Sequence, residues 1–160
     1  MPVIRETLTI AAPRERCFDL ARSVQVHVES TSPTGETAVA GVTSGLMNLG
    51  DEVTWRARHL GIVQHLSSRI TAFDRPRYFR DTMVHGAFRR LDHDHLFETG
   101  AGGTTIMTDV FDFSAPFGIL GRLAEWMFLT HYMRRLLVDR NLVIKRIAEG
   151  EEWQKYLNNA

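Results

Sequence analysis

The sequence has little cysteine, little proline and no excess of charge of either sign. Its 160 residues include one cysteine and five prolines, and 19 Lys and Arg residues balance 19 Asp and Glu residues. The single thiol, Cys17, excludes an internal disulfide and is typical of a reducing compartment. A neutral chain has no long-range attraction for phosphate backbones or anionic lipids, so we expect no nucleic-acid partner.

Long hydrophobic runs are also missing. A helix that spans a bilayer needs roughly 18 apolar residues in succession. The best candidate, residues 117–138, is interrupted by charged side chains at Arg122, Glu125, Arg134 and Arg135. The N-terminal stretch carries Arg5 and Glu6 where a signal peptide needs an apolar core. We therefore expect a cytoplasmic protein without stable membrane insertion.

What is present is an ordinary globular composition, 44% hydrophobic and 24% charged, which at this length favours one domain over residues 1–160. Alternation of apolar and polar residues predicts a first strand near the N-terminus, and further strands follow between short turn segments. The further strands are predicted at residues 37–43, 51–59, 62–73, 78–85, 87–97 and 104–113. Their short connections favour an antiparallel sheet, because parallel strands need longer crossovers.

Helical segments flank this series of strands. Pro13 opens a short helix, because proline suits the first positions of a helix, and a second helical stretch ends near the turn segment 30–35. After Pro116 the apolar residues change to helical spacing, which predicts a long C-terminal helix over about residues 117–148. A polar tail at residues 150–160 follows this helix. The first half of this helix is apolar, so the sheet, the first helix, a ligand or a partner chain must cover it. A homodimer is one of these alternatives.

This order of elements resembles the START-related superfamily (SRPBCC), which includes lipid-transfer domains, pollen allergens and polyketide-cyclase-like proteins. The resemblance covers nearly the whole chain, and the motifs look like those of the bacterial polyketide-cyclase-like branch. The motifs that carry the resemblance are Ala12-Pro13, residues 50–55, Gly86-Ala87-Phe88 before residues 93–97, Thr105 with Asp109, and residues 114–118. The resemblance implies an α+β helix-grip fold: a seven-stranded curved antiparallel sheet around a long C-terminal helix, with two short helices between the first two strands. It also implies an internal cavity for lipids, sterols, quinones, hormones or polyketides.

The concave face of the predicted sheet combines apolar and polar side chains, since residues two apart on a strand share a face. The polar members are Asp81, His85, His93, His95 and Asp109. A buried carboxylate needs hydrogen bonds or an opposite charge, so histidine is a natural partner. Three interpretations stay open: a self-satisfied structural network, a group that orients the polar end of a ligand, or acid–base catalysts, with His95 and Asp109 as catalytic candidates.

We expect aromatic and methionine side chains to form the rest of the cavity wall, because methionine adapts its shape to flexible apolar ligands. The predicted ligand-binding residues are Trp55, Asp81, Met83, His93, His95, Phe97, Met107, Asp109, Phe111, Met127 and His131. The loop from Gly45 to Gly50 is either a lid or a plain turn. Cations on the second half of the long helix complement its dipole, and one of them turned inward would pair with an anion. These cations are Arg134, Arg135, Arg140, Lys145 and Arg146.

His93 and His95 also form an HxH pair with Glu98 three residues later, a pattern that resembles the metal motif of cupin barrels. The intervals differ from the cupin pattern, and no second motif with its histidine follows. A long terminal helix does not belong to a minimal barrel either. We therefore expect no metal and no cofactor.

The preferred function is the binding or carriage of a small, mainly apolar ligand such as a lipid, a quinone or a polyketide-like molecule. A cyclase or dehydratase that uses His and Asp for acid–base chemistry is the alternative, and a protein-interaction module is the third hypothesis. The sequence contains no phosphate-binding loop and no nucleophile elbow. Enzymatic activity is thus left undecided at this stage, with a binding protein preferred.

Overall fold

The computed structural model describes residues 2–116, 118–124 and 128–158. The strands are β1 (Val3–Ile10), β2 (Thr37–Gly41), β3 (Glu52–His59), β4 (Ile62–Asp74), β5 (Tyr78–His85), β6 (Arg90–Thr99) and β7 (Thr105–Ser114). The helices are α1 (Arg14–Ala21), α2 (Val24–Ser30), α3 (Gly118–Ala124), α4 (Thr130–Glu149) and α5 (Trp153–Leu157). Single turns of 3₁₀ helix lie at Ser32–Thr34 and Ala101–Gly103.

The strands form one seven-stranded antiparallel sheet in the order β1-β7-β6-β5-β4-β3-β2. Strands β2 to β7 are therefore neighbours in chain order, as their short connections predicted. β1 completes the sheet beside β7, with Val3 opposite Asp112 and Ile10 opposite Thr105. The predicted α+β helix-grip architecture is confirmed.

Irregular pairing accompanies the curvature of this sheet. The register between β4 and β5 shifts between Ser67 and Ser68 and again between Ile70 and Ala72. Such bulges bend a strand and increase its twist, which lets a sheet wrap around a helix. The face towards the helices carries the buried residues of β6: Leu91, His93, His95 and Phe97.

The short helices after β1 begin where the sequence indicates. Pro13 is the extended residue before α1, and the helix itself starts at Arg14. Ser23 caps α2 because its hydroxyl accepts a hydrogen bond from the backbone N–H of Val26. Between them these helices bury Cys17, Phe18, Leu20 and Val24 against the sheet.

The long C-terminal helix is α4, which packs against β1, α1 and α2. The segment predicted as one helix over residues 117–148 is described as α3 and α4, with Phe117 and residues 125–127 outside the described residues. Ile119 and Leu120 of α3 are exposed, so this part of the apolar segment has no cover within the described chain. None of the described helices is both long and apolar enough to cross a membrane.

The tail at residues 150–160, predicted to be polar apart from Trp153, Tyr156 and Leu157, contains a further helix, α5. Trp153, Tyr156 and Leu157 follow helical spacing, which brings them to one face that packs on the main core. The guanidinium of Arg16 in α1 lies 4.1 Å above the Trp153 ring, and the Tyr156 hydroxyl donates a hydrogen bond to Glu29. These contacts bind the end of the chain to α1 and α2.

The core contains two clusters of buried side chains. The larger cluster surrounds Phe18 of α1, whose ring meets Phe73, Phe79 and Phe97 edge-on at centroid distances of 5.3–5.4 Å. The smaller cluster joins the first residues of β1 and β6 to the last residues of β7 and to α4. Its buried members are Ile4, Leu91, Phe111, Phe113 and Leu137.

Candidate functional site

A cavity of about 190 Å³ lies between the concave face of the sheet, α2 and α4. This volume is many times the roughly 10–15 Å³ that one water molecule requires. Most of its wall is apolar and includes Val53, Trp55, Phe79, Leu91, Phe111 and Leu137. The sheet and the helices therefore leave an internal space of the size of a small organic molecule.

One part of the cavity wall is a cluster of carboxylates and imidazoles on neighbouring strands. In the ladder, Asp81 of β5 is opposite His93 of β6, and His95 of β6 is opposite Asp109 of β7. Residues two apart on β6 share a face, so both histidines point towards the helices. The pairing thus brings together four residues that the sequence placed on one inward face.

Short polar contacts connect these four side chains. His95 Nε2 lies 3.0 Å from Asp81 Oδ2, and His93 Nε2 lies 3.1 Å from Asp109 Oδ1. His95 Nδ1 is 2.8 Å from the same Asp109 oxygen, although its direction is poor for a hydrogen bond. One carboxylate oxygen of Asp109 therefore approaches both imidazoles, and His95 lies between two carboxylates.

Arg140 of α4 brings a positive charge to this cluster. Its Nη1 is 3.6 Å from Asp109 Oδ2, and its Nη2 donates a hydrogen bond to the Ala21 carbonyl. Arg140 is 6% exposed and Asp109 is completely buried. Among the cations of the C-terminal helix, Arg140 is the one that reaches a buried anion.

Burial and hydrogen bonding shift the protonation of the cluster in opposite directions. Burial raises the pKa of Asp109, but the short contacts with His93 and His95 and their charges together outweigh this and hold the pKa well below its ordinary value. Burial lowers the pKa of His95, yet its bonds to Asp109 and Asp81 raise the pKa above 6.5 overall. For His93 burial prevails, helped by the charge of His95, and the pKa is lowered. Within the cluster His95 therefore favours the protonated form more than an ordinary histidine does, and His93 favours the neutral form.

A second polar pair lines the cavity, and sequence reasoning missed it. His27 Nε2 of α2 lies 3.0 Å from Glu36 Oε1, and the His27 ring stacks on Trp55 at 4.1 Å between centroids. Burial is the largest single effect and raises the pKa of Glu36, but the hydrogen bond and charge interaction with His27, together with smaller effects of His59 and Arg140, lower it overall. The available signal was an isolated histidine on a helix otherwise rich in valine, which does not indicate a partner nine residues away.

Several predicted ligand-binding residues do line the cavity. They are Trp55, Asp81, His93, His95 and Phe111. Asp109 lies behind the two histidines and does not itself line the cavity; it contacts the lining residues His93, His95 and Arg140. Met47, from the loop predicted as a lid or a turn, is buried and lines the cavity, whereas Leu49 of the same loop is exposed.

Other predicted ligand-binding residues lie elsewhere. Phe97 and Met107 belong to the main core, where α1 covers their end of the sheet. Met83 is half-buried against the smaller cluster, and His131 is exposed on α4. His85, an inward candidate on β5, is exposed as well. Met127 lies outside the described residues.

The arrangement can serve three kinds of chemistry. Asp81, whose side chain is 23% exposed, can accept a hydrogen bond from a ligand. His93 lies at the cavity wall, and its lowered pKa favours the neutral imidazole, which can accept a proton. Asp81, His93 and His95 also bring one potential metal-ligating atom each to within 4.8 Å of one another. Glu98, the third member of the cupin-like motif, is exposed and takes no part in this group.

No protein-family model matches the sequence, and no curated protein matches it either. Solved structures match it by fold. Protein TTHA0849 from Thermus thermophilus is similar with a TM-score of 0.73 and 17% sequence identity, over 91% of this chain and 95% of that one. A START superfamily protein from Mycobacterium smegmatis is similar with a TM-score of 0.63 and 11% identity, over 96% and 98% of the two chains. The chain has the START-like helix-grip fold.

An aromatase/cyclase named Zhui, from a Streptomyces species (R1128), also matches this START-like chain. Its TM-score is 0.63 at 14% identity, over 96% of this chain and 94% of the other. The resemblance inferred from the order of elements and the short motifs is thus confirmed at the level of the fold. Fold similarity does not transfer function, so the function has to be argued from the site itself.

Proposed function

We propose that this START-like protein binds a small, mainly apolar molecule, such as a lipid, a quinone or a polyketide-like compound, in its internal cavity. The observation that carries the proposal is the cavity of about 190 Å³ with largely apolar walls. Water at such walls has few hydrogen-bonding partners, so an apolar ligand gains free energy by displacing it. The START-like fold supports the same conclusion.

The charged cluster gives the ligand an orientation. The walls formed by Trp55, Phe79 and Phe111 suit a ring or an alkyl chain, while Asp81 and His93 stand on the polar side. The Asp81 carboxylate can accept a hydrogen bond from a hydroxyl group, and a charge-assisted bond of this kind is among the stronger ones. We expect a ligand with one hydroxyl or carbonyl end and an apolar body.

The test begins with the molecule that the protein retains during purification. Untagged protein is extracted with organic solvent, the extract is identified by mass spectrometry, and the emptied protein is titrated with fatty acids, quinones and hydroxylated aromatic compounds. We expect a single site for at least one of these classes. An empty protein that binds none of them would contradict the proposal.

A cyclase or dehydratase is the second candidate, favoured by one observation. His93 is a lowered-pKa imidazole at the cavity wall, and Asp109 accepts a hydrogen bond from its Nε2. In this scheme His93 acts as the general base and Asp109 positions its ring. The sequence also suggested His95 as a catalyst. In this scheme His95 lies between the carboxylates of Asp81 and Asp109 and contributes to the electrostatic environment of His93.

Turnover of polyketide-like substrates distinguishes the two functions. In an enzyme, His93→Gln abolishes turnover and leaves ligand affinity within a few-fold of the wild-type value. In a carrier, the wild-type protein returns every bound compound unchanged. Mass spectrometry of the recovered ligand after incubation makes this comparison directly.

A further inference from the structure

We propose that Asp81, His93 and His95 form a binding site for one divalent first-row transition metal ion, beyond the ligand binding proposed above. The sequence alone argued against a metal because the cupin-like interval to Glu98 is wrong. The structure supplies the third ligand from a neighbouring strand instead. The donor set becomes two imidazoles and one carboxylate, a set that zinc and ferrous iron both accept.

The distances between the donor atoms suit a common ion. Asp81 Oδ2 lies 3.0 Å from His95 Nε2 and 3.9 Å from His93 Nδ1. All three atoms lie within 4.8 Å of one another. Atoms that each sit at roughly 2.0–2.2 Å from one ion are about 3–4 Å apart, so small side-chain movements suffice to close the site.

Asp109 sets the ring of His93 in the orientation that metal binding needs. Its Oδ1 lies 3.1 Å from His93 Nε2, within hydrogen-bonding geometry, and 2.8 Å from His95 Nδ1. A hydrogen on His93 Nε2 that is donated to Asp109 leaves the lone pair of His93 Nδ1, 3.9 Å from Asp81 Oδ2, for the ion. A carboxylate behind a ligating histidine is the usual arrangement around protein-bound metals. Asp109 is therefore a positioning residue for the ion.

The charges of the cluster suit a cation. Two carboxylates, Asp81 and Asp109, contact the two imidazoles, and one guanidinium, that of Arg140, lies 3.6 Å from Asp109. With both imidazoles neutral, as metal ligation requires, a divalent ion changes the local charge from about −1 to about +1.

The site opens towards the cavity. Asp81, His93 and His95 all line it, whereas Asp109 does not. Three protein ligands leave at least one coordination position free, as in sites where a metal meets a small molecule. The surplus positive charge favours an oxygen anion at that position, for example a carboxylate or an enolate on an apolar ligand.

The experiment uses untagged protein that has been stripped with a chelator and dialysed. Zn²⁺ and Co²⁺ are titrated separately, with stoichiometry from elemental analysis and native mass spectrometry and with the visible absorption of bound Co²⁺ as a report of its ligands. We expect one ion per chain. Asp81→Asn and His93→Gln should each abolish stoichiometric binding, and Asp109→Asn should weaken it about 10- to 100-fold. His85→Gln, at an exposed histidine on the same strand as Asp81, is the matched control and should bind like the wild type.

Two results would overturn the proposal: no stoichiometric ion in the wild-type protein, or equal binding by the wild type, Asp81→Asn and His93→Gln. Circular dichroism and thermal unfolding show whether each variant is folded. Because Asp81→Asn and His93→Gln each change one metal ligand, the test still stands if one of the two variants does not fold. Binding of the apolar ligand is measured on the metal-free protein in parallel. Failure of the metal site is thereby distinguished from failure of the proposed function.

Discussion

Arg140 in the C-terminal helix and Asp109 in β7 form an ion pair inside the protein, with 3.6 Å between Nη1 and Oδ2. Neither side chain is appreciably exposed, so each charge depends on the other and on nearby hydrogen bonds. The pair links the helix to the strand behind the two cavity histidines. It connects the stability of the fold with the geometry of the candidate site.

Replacing Arg140 with methionine should destabilise the protein by about 3–5 kcal/mol, because it removes the guanidinium that pairs with the buried carboxylate of Asp109. Urea unfolding at neutral pH measures the loss. The control is Arg135→Met, at an exposed arginine 4.0 Å from Asp139, which should cost about 0–1 kcal/mol. If Asp109→Asn costs as much in the Arg140→Met background as in the wild type, the two residues are not coupled.

The two cavity histidines should titrate on opposite sides of the ordinary histidine pKa of about 6.5. The pKa of His95 is raised by its carboxylate partners, and that of His93 is lowered by burial and by the charge of His95. NMR titration of the imidazole nitrogens in metal-free protein measures both. Asp81→Asn should lower the pKa of His95. A His95 pKa below that of His93 in the wild-type protein would contradict the assignment.

The shift of His95 also predicts how stability depends on pH. Because its folded pKa lies above the unfolded value, its contribution is complete below about pH 6.5 and is lost as pH rises through the folded pKa. The difference in unfolding free energy between the wild type and His95→Gln should therefore shrink as the pH rises above about 6.5. A difference that grows with pH would show that His95 is not stabilised as an imidazolium.

Filling the cavity should remove ligand binding without unfolding the protein. Ala57 of β3 is buried and lines the cavity, so Ala57→Leu places extra methyl groups in the ligand's space. We expect ligand affinity to fall at least about tenfold while the melting temperature is unchanged or higher. Ala40→Leu, on the exposed part of β2, is the matched control and should bind normally. Unchanged affinity in Ala57→Leu would place the ligand elsewhere.

The start of α4 should depend on a hydrogen bond between Tyr132 and His59. The Tyr132 hydroxyl lies 2.9 Å from His59 Nδ1 at the end of β3, and the rings meet at right angles. Tyr132→Phe keeps the ring and removes the bond, which should cost about 0.5–1.5 kcal/mol and speed amide exchange in the first turns of α4. Tyr78→Phe, which removes a hydroxyl bonded to Asp94 in the sheet, should leave that exchange unchanged.

Much of the sheet could be predicted from local pattern. Alternation with a period of two placed Asp81, His93, His95 and Asp109 on one face, and short connections made β5, β6 and β7 neighbours. Antiparallel neighbours joined by tight connections place inward residues on adjacent strands, so the sequence indicates that these four side chains share one inward region of the sheet. The helical spacing after Pro116 likewise indicated the helix around which the sheet curves.

The extent of the cavity could not be predicted in this way. His95 and Phe97 share the inward face of β6, yet His95 lines the cavity while Phe97 packs against Phe18 of α1. Met107 on β7 is covered in the same region of the core. The periodicity of a strand states which face is buried, but the position of the helices over that face decides whether a residue meets a ligand or a core side chain.

The sequence by itself determined the antiparallel order of β2 to β7, the helical C-terminal segment and the inward face that carries the imidazoles and carboxylates, because these follow from periodicity and connection length. The helix-grip arrangement was implied by the resemblance to START-related proteins. Only the tertiary structure decided that Arg140 faces Asp109, that His27 pairs with Glu36 and that Asp81 completes a three-donor group with His93 and His95. Each of these depends on side chains from separate elements converging within about 4 Å in three dimensions. No local pattern encodes such a distance.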